Sequence, residues 1–331
     1  MSGAGGGLGE FELIGRYFAG HDQGGQVALG VGDDCALLRC PAGWELALTT
    51  DTLSEGVHFF PATAPRRLGY KALAVNLSDL AAMGARPEAF LLALTLPQAD
   101  PAFLGEFSAG LLECAAQAHM ALIGGNTTRG PLSITITACG CVRPGRALQR
   151  SLARPGDTLF VTGTLGLPGL YVEAGYGRID LEAEVVERLE EQACRRPLRA
   201  AFAHEAAQRG LCRCAIDISD GFIGDLGHIL ESSALAACVQ LECLPCDEAL
   251  GQAGLTRQQQ LELACFGGCD YELVMSVGPG ECAAFTQLAR SHGVRVTAVG
   301  QCRSGGGGER LELRCDGQPA ALPRRPFEHF P

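Results

Sequence analysis

Lysine is almost absent from this chain, because Lys71 is the only one among 331 residues. The formal net charge is −11, and no run of basic residues stands out. We therefore expect no binding to nucleic acid and no attraction to anionic membranes. If the ligands are phosphates, a chain this acidic has to screen them with bound cations or a few arginines, because bare carboxylates repel phosphate.

Long apolar runs are also lacking. No stretch reaches about 18 consecutive apolar residues without a charge or a turn residue, and this excludes a membrane-spanning helix. Residues 1–9 are rich in glycine and have neither the positive start nor the apolar centre of a signal peptide. The sequence predicts a soluble, cytoplasmic protein with a flexible N-terminus over residues 1–9.

Several familiar site motifs are missing. There is no Walker A motif and no Gly-x-Gly-x-x-Gly that opens a helix after a strand, so neither a P-loop nor a Rossmann dinucleotide site is supported. The sixteen cysteines are scattered, and only Cys243 and Cys246 have the C-x₂-C spacing of half a zinc site, with no second half at a suitable distance. Free thiols in a reducing compartment are the expected state.

The alternation of short strand-like and helix-like segments predicts an α/β or α+β fold. A length of 331 residues favours two domains, and the Pro-Gly punctuation within 151–157 separates 10–150 from 151–331. The expected helices are 11–17, 66–83, 101–119, 182–193, 197–209 and 224–231. The expected strands are 47–50, 90–96, 132–137, 158–162, 215–218, 271–277 and 294–299.

Four acidic segments share one design, in which a short apolar strand ends in small or hydroxyl residues followed by Asp. The four segments contain Asp33 and Asp34, Asp51 after Thr49 and Thr50, Asp79, and Asp217 with Ser219 and Asp220. Carboxylate, hydroxyl and carbonyl oxygens are the ligands that Mg²⁺ takes, and Mg²⁺ completes its shell with water and substrate phosphates. One such segment alone is more typical of turn or helix capping. Four of them favour a site for several Mg²⁺ ions and a nucleotide.

A glycine-rich segment over residues 122–130 is the candidate phosphate cradle. The pair Gly124 and Gly125 would let backbone N–H groups approach an anion, with Arg129 close by in sequence. Arg146 and Arg150 are further candidates, although surface arginines without a ligand are equally common.

These segments resemble the thiamine-monophosphate kinase family, within the aminoimidazole ribonucleotide synthetase-like superfamily. The resemblance covers residues from about 10 to 330 and rests on seven motifs in family order: GEFELIGR (9–16), GDDCAL (32–37), TDTLSEGVH (50–58), YKALAVNLSDLAAMG (70–84), IGGNTTRG (123–130), IDISDGF (216–222) and GGCDYEL (267–273). It implies a two-domain fold with mixed sheets flanked by helices, an active site in the cleft between the domains, and a homodimer.

The resemblance also implies a reaction and a set of site residues. ATP is the co-substrate, several Mg²⁺ ions are bound, and the γ-phosphoryl group passes to thiamine monophosphate to give thiamine diphosphate. The implied metal ligands are Asp34, Thr49, Thr50, Asp51, Asp79, Asn126, Asp217 and Asp220. The implied ATP contacts are Gly125, Asn126, Arg150 and Ser219. The implied substrate contacts are His58, Cys269, Phe327 and Phe330.

Two positions depart from the family pattern. Asn126 stands where the family usually has Asp, and Cys269 stands where it has Glu. The first change leaves a neutral oxygen ligand for Mg²⁺, and the second removes a carboxylate expected at the substrate. Two alternatives therefore remain: another ATP-dependent enzyme of the superfamily, and a non-catalytic paralogue that binds nucleotide or thiamine phosphate.

Overall fold

The structure is a computed structural model, and it describes residues 10–21, 25–31, 36–305 and 310–322. The chain divides into two compact units. Unit 1 comprises Met1–Leu80 and Arg86–Cys141, and unit 2 comprises Ala81–Ala85 and Val142–Pro331.

The described residues of unit 1 form three helices and two small sheets. Its helices are α1 (Glu10–Tyr17), α2 (Pro65–Ala82) and α3 (Pro101–Ala118). Its strands are β1 (Val27–Leu29), β2 (Leu37–Leu38), β3 (Glu45–Ser54), β4 (Arg86–Leu96), β5 (Ala121–Arg129) and β6 (Ser133–Val142). The strands β1 and β2 form an antiparallel pair, and the other four form a sheet in the order β3-β6-β4-β5.

The four-stranded sheet of unit 1 is mixed. Strand β4 runs antiparallel to β6 and parallel to β5. Helix α3 connects β4 to β5, as a parallel pair requires, because the chain has to cross back before the second strand starts. That helix begins where the Asp100 side chain accepts a hydrogen bond from the Ala102 N–H (3.0 Å), and it ends at His119 in the left-handed conformation.

Unit 2 is built on a larger sheet. Its helices are α4 (Leu167–Gly175), α5 (Ala183–Cys194), α6 (Ala200–Gln208), α7 (Phe222–Ser232), α8 (Glu248–Gln252), α9 (Arg257–Phe266) and α10 (Cys282–Ser291). Its strands are β7 (Thr158–Thr162), β8 (Cys214–Asp217), β9 (Leu235–Gln240), β10 (Leu273–Val277), β11 (Val296–Ser304), β12 (Leu311–Cys315) and β13 (Gln318–Pro319). The strand order is β13-β12-β9-β11-β7-β10-β8, and only β12 and β9 pair in parallel.

Helices cover both faces of this sheet. Along β7, Leu159 and Val161 belong to one buried apolar cluster with Phe222 of α7, whereas Phe160 belongs to a second cluster with Phe285 of α10. Successive side chains of a strand point to opposite faces, so the two clusters are the two sides of one sheet. The strands of unit 2 therefore contain nearly continuous apolar runs, unlike those of a sheet with one face in water.

The predicted α/β architecture with mixed sheets is confirmed, and most predicted helices and strands lie within a few residues of their observed bounds. Two predictions about local structure are wrong, and the glycine-rich segment 122–130, for which no strand was predicted, forms most of β5. Asp51 lies within β3 and Asp79 within α2, so neither follows the end of a strand. The predicted strand 271–277 begins only at Leu273, because Tyr271 has a left-handed backbone.

Two further features bear on the sequence predictions. Among the described helices, none has both the length and the hydropathy that a membrane span requires. The fifteen cysteines in the described part of the chain are all free thiols. Burial raises the pKa of several of them, including Cys139 and Cys265, which makes these thiols poor nucleophiles.

Candidate active site

Strand β3 and helix α2 bring two of the predicted metal-binding carboxylates together in unit 1. The Thr49 hydroxyl on β3 donates a hydrogen bond to Asp79 Oδ2 on α2 at 2.5 Å. Asp51 is two residues further along β3 and therefore lies on the same face as Thr49. Thirty residues separate Thr49 from Asp79 in the sequence, and the fold places them in contact.

The environment of Asp51 disfavours its charged form. Its pKa is raised to about 6, first by burial, and then by the negative charge of Asp79 and a side-chain hydrogen bond with it. Two carboxylates so close together repel each other unless a proton or a cation lies between them. This pair therefore has the chemistry of a cation site.

Thr50 lies on the opposite face of the sheet from these carboxylates. Its hydroxyl donates to the Ile136 carbonyl at 3.1 Å and lies 3.1 Å from the Thr137 hydroxyl on β6. A similar pair follows, in which the hydroxyls of Thr52 and Thr135 are 2.8 Å apart. The structure thus brings Thr49 to Asp79 and directs the Thr50 side chain elsewhere.

His58 follows β3 in a tight turn. Its Nδ1 accepts the Ser54 N–H at 3.1 Å, and its own N–H donates to the Ser54 carbonyl at 3.0 Å. The single lysine, Lys71 on α2, donates to the His58 carbonyl at 2.8 Å. The lysine and the turn therefore fix the backbone of His58 next to the strand that contains Asp51.

Gly125 and Asn126 are exposed residues of β5 at the edge of the sheet. A bulge at Ile123 shifts the register with β4, and Gly125 has φ of +152°. A Cβ at position 125 would lie 1.8 Å from the Leu92 carbonyl oxygen, so only glycine fits there. The glycine pair thus serves the close approach of two strands, which is a sufficient structural reason for its presence.

In unit 2, Asp217 ends β8 and is 5% exposed, whereas Asp220 is exposed in the turn that follows. Asp225, in the first turn of α7, organises this turn. One of its carboxylate oxygens, Oδ2, accepts the N–H groups of Ser219, Asp220 and Gly221, each at 3.1 Å.

Asp225 also has a raised pKa, of about 6. Burial is the main cause and the charge of Asp220 adds to it, while the three N–H groups act in the opposite direction. Asp225 was not among the predicted site residues. An acid in the first turn of a helix is common at helix N-termini, so its position gave no separate signal.

Cys269 lies directly against the predicted nucleotide-binding turn of unit 2. Its N–H donates to the Ser219 carbonyl at 2.7 Å, and the Tyr271 N–H donates to the Ile218 carbonyl at 2.8 Å. Both Cys269 (φ 57°) and Tyr271 (φ 49°) have left-handed backbones. Residues without a glycine's freedom rarely adopt this conformation outside functional or tightly held segments.

Arg150 begins a 3₁₀ turn, Arg150–Leu152, and its side chain is exposed. Its carbonyl accepts the Ser233 hydroxyl at 2.7 Å, which fixes the backbone and leaves the side chain on the surface. Arg146 is exposed as well. Asp34, Phe327 and Phe330 lie outside the described residues, and their roles stay predictions.

In the part of the chain that the structure describes, no three His, Cys, Asp or Glu side chains converge closely enough to hold a metal ion together. Asp51 and Asp79 provide two such side chains next to the Thr49 hydroxyl, one fewer than the three required. The sequence also missed a group of ionisable residues in unit 2 that are buried or nearly so: Arg196, Arg199, Asp270 and Glu272. Only burial singles them out, and burial is a tertiary property.

Family models match both halves of the chain. The N-terminal domain of AIR synthase related protein matches residues 32–142, and its C-terminal domain matches residues 154–311. The thiamine-monophosphate kinase of Escherichia coli strain K12 is 44% identical over 329 residues, which covers 97% of this chain and 98% of the relative. The chain belongs to the thiamine-monophosphate kinase family.

Solved structures of this family agree with that assignment. The thiamine-monophosphate kinase of Stenotrophomonas maltophilia K279a has a TM-score of 0.83 and 39% identity, covering 95% of this chain and 99% of that one. A structure described as AaThiL complexed with AMPPCP and TMP has a TM-score of 0.74 and 26% identity, covering 98% of this chain and 97% of that one. The two-domain fold implied by the resemblance is thereby confirmed.

Proposed function

We propose that this chain transfers the γ-phosphoryl group of ATP to the phosphate of thiamine monophosphate, and so forms thiamine diphosphate and ADP. The observation that supports this most directly is the 44% identity with a thiamine-monophosphate kinase over 97% of the chain. Thr49, Asp51 and Asp79 lie together in unit 1 and provide oxygen ligands for the cation that phosphoryl transfer requires.

We propose Mg²⁺ as the cation. The donors fit this ion, because a hydroxyl and two partly buried carboxylates are hard oxygen ligands, and the mutual repulsion of the carboxylates is relieved by a divalent cation. Thr49, Asp51 and Asp79 would hold it in unit 1. Asp217 and Asp220 are the corresponding candidates in unit 2, and Asp34, Thr50 and Asn126 stay predicted ligands. When bound, Mg²⁺ neutralises negative charge on the phosphates.

We propose the nucleotide contacts that the family resemblance implies. Gly125 and Asn126 present an exposed strand edge, whose outward N–H groups suit a phosphate or ribose oxygen. Ser219 stands in a turn whose backbone is fixed by Asp225. Arg150 supplies an exposed guanidinium, which can bind phosphate with two parallel hydrogen bonds.

For thiamine monophosphate, His58 and Cys269 are the proposed contacts within the described residues, and Phe327 and Phe330 are the proposed contacts outside them. His58 has a fixed backbone, and its Nδ1 already accepts a hydrogen bond. Its proton is therefore on Nε2, which makes that atom a donor suited to a phosphate oxygen.

This reaction needs little proton transfer from the protein. The acceptor is a phosphate oxygen that is already anionic, so no strong general base is required. The residues named above would act by orienting the two phosphates and by offsetting their charge. A site of partly buried acids that bind cations, with few basic side chains, is consistent with such chemistry.

A turnover assay tests the proposal. Purified protein is incubated with ATP, Mg²⁺ and thiamine monophosphate, and ADP and thiamine diphosphate are quantified by chromatography. Equal amounts of the two products are expected with Mg²⁺, and none in excess EDTA. Unphosphorylated thiamine serves as the control acceptor. ADP without thiamine diphosphate would favour another ATP-dependent reaction, and binding without turnover would favour the non-catalytic alternative that Asn126 and Cys269 suggest.

We also propose that the protein is a cytoplasmic homodimer. Free thiols throughout the described chain are consistent with a reducing compartment. Leu46 and Leu48 of β3 are 45% and 66% exposed on the sheet face that also contains Thr50. The Thr50 hydroxyl contacts that of Thr137 on β6, and Thr137 pairs with Leu91 on β4. Leu91, which is 38% exposed, therefore lies on the same face. Such an apolar face suits contact with a second copy.

A further inference from the structure

Unit 2 contains a cluster of buried ionisable side chains to which the proposed reaction assigns no role. Arg196 is 6% exposed, Asp270 0% and Glu272 1%, and the Arg199 side chain is 11% exposed. Charged groups are rarely buried to this extent unless they are paired. Arg196 and Arg199 follow α5, and Asp270 and Glu272 precede β10. The hydrogen bonds of the cluster therefore join residues 74 and 73 positions apart in the sequence.

Glu272 is the centre of the cluster. Its two carboxylate oxygens accept hydrogen bonds from Nε and Nη2 of Arg199, each at 2.7 Å, in a bidentate pair. The Thr162 hydroxyl donates to Oε2 at 2.6 Å, and Arg196 Nη2 lies 3.7 Å from Oε1. A Cβ on Gly163 would lie 1.9 Å from Oε1, so the chain leaves room for this carboxylate. Glu272 is therefore held in one orientation.

Arg196 connects this centre to the backbone. Its Nε donates to the Asp270 carbonyl at 2.9 Å, and its Nη2 donates to the Thr164 carbonyl at 3.1 Å. The Asp270 side chain adds another link, because its Oδ1 accepts the Gly166 N–H at 2.8 Å. The peptide between Cys269 and Tyr271 is thus tied to the loop after β7 from two directions.

The tied segment is the one with unusual backbone geometry. Asp270 lies between the two left-handed residues Cys269 and Tyr271, whose N–H groups bind the carbonyls of Ser219 and Ile218. A left-handed backbone at these residues is unfavourable in isolation and persists only where neighbouring contacts impose it. Arg196 supplies such a contact to the Asp270 carbonyl, whereas the Ser219 turn binds the N–H groups of the residues before and after it.

We propose that Arg196, oriented by Glu272 and Arg199, is a positioning residue that fixes Cys269 and the Ser219 turn for substrate and nucleotide binding. The proposal rests on the proposed function, since that function gives Cys269 and Ser219 their roles. Buried ion pairs add little net stability compared with apolar side chains of similar volume, whereas they do hold one geometry. An arginine is suited to this task because its planar fork reaches two carbonyls and a carboxylate at once.

The test compares Arg196→Met with Val239→Ala, a control that weakens the core of unit 2 on β9, a strand that β11 separates from β7. Kinetics are measured well below the melting temperatures of both variants. For Arg196→Met we expect kcat/KM to fall about 10-fold or more, mainly through higher KM for thiamine monophosphate and ATP. Arg196→Lys keeps one donor and should recover part of the loss, and Val239→Ala should leave both KM values unchanged.

Hydrogen exchange gives a readout that does not depend on activity. In Arg196→Met, the peptide that contains Cys269 and Tyr271 should exchange faster than in the wild type, whereas Val239→Ala should not single out this peptide. Unchanged exchange at this peptide in Arg196→Met would overturn the proposal. So would a fall in kcat/KM that is in the same proportion to the loss of melting temperature in Arg196→Met and in Val239→Ala. If the wild type has no turnover, the proposed function fails, and the exchange data alone decide whether Arg196 positions the segment.

Discussion

The Thr49 hydroxyl donates to Asp79 Oδ2 at 2.5 Å, and this contact joins strand β3 to helix α2 at the candidate metal site. It also orients Asp79 toward the strand that contains Asp51, whose pKa Asp79 helps to raise to about 6. A hydroxyl and two carboxylates from two different elements therefore form one chemical unit within unit 1.

Asp79→Asn tests this unit. Removing partners of metal ligands typically reduces activity 10- to 100-fold, so loss of a ligand itself should lower kcat by about 100-fold or more. The fold should be retained, because the substitution keeps the shape and removes a like charge beside Asp51. Melting temperature and turnover are measured together, with Glu106→Gln on the exposed surface of α3 as control. Near-native kcat would show that Asp79 is only a partner of Thr49.

Asn126→Asp restores the acid that the family has at this position. If residue 126 binds a metal ion, the added charge should lower the Mg²⁺ concentration needed for half-maximal activity and leave kcat similar or higher. A Mg²⁺ titration at saturating ATP measures this effect. An unchanged titration curve would mean that the side chain at 126 does not contact the metal.

Cys269→Glu should act on the acceptor substrate. A carboxylate at 269 would add a hydrogen-bond partner for thiamine monophosphate, so its KM should fall while the KM for ATP stays the same. The backbone at 269 is left-handed, so a substitution there can alter the backbone as well as the side chain. Cys269→Ser is the control, because it changes the residue, keeps the size and adds no charge. An equal effect of Ser and Glu would argue against a charge-specific contact.

Asp270 should make stability depend on pH. Burial raises its pKa to about 8 despite the nearby Arg196, whose hydrogen bond goes to the main-chain oxygen. The protonated form is thus favoured on folding, and this contribution is complete below the unfolded pKa and is lost as the pH rises through about 8.

Asp270→Asn keeps the oxygen that accepts the Gly166 N–H and removes the titration. The difference in unfolding free energy between the variant and the wild type should therefore shift in favour of the variant from about pH 4 to pH 8, by at most about 1.4 kcal/mol per pH unit for one proton. Denaturant titrations across this range measure it. A constant difference at all pH values would show that folding does not shift the pKa of Asp270.

Leu48→Glu tests the homodimer. Leu48 is 66% exposed on the β3 face, so a charge there should leave the monomer folded and weaken the contact with a second copy. Analytical ultracentrifugation should show a dimer for the wild type and a shift toward monomer for the variant. A charge on the exposed Tyr176 of unit 2, Tyr176→Glu, is the matched control. A dimer unaffected by Leu48→Glu would place the interface elsewhere.

Residues 66–83 and 101–119 show what can be predicted locally. Apolar residues recur every three or four positions in both segments, and the structure has helices at Pro65–Ala82 and Pro101–Ala118. The segment 122–130 shows the limit of such reasoning. Its glycines and polar residues are typical of a loop, yet parallel pairing with β4 makes it a strand, because long-range hydrogen bonds outweigh local preference.

The sequence by itself determined the family, the two-domain α/β architecture and the acids expected to bind metal, because motif order and hydrophobic periodicity are local properties of the chain. Only the tertiary structure decided which of these residues meet. It placed Thr49 against Asp79, turned the Thr50 side chain to the other face of the sheet, and buried Arg196 against the Asp270 backbone. Side-chain direction and burial depend on how distant segments pack, and no local pattern encodes them.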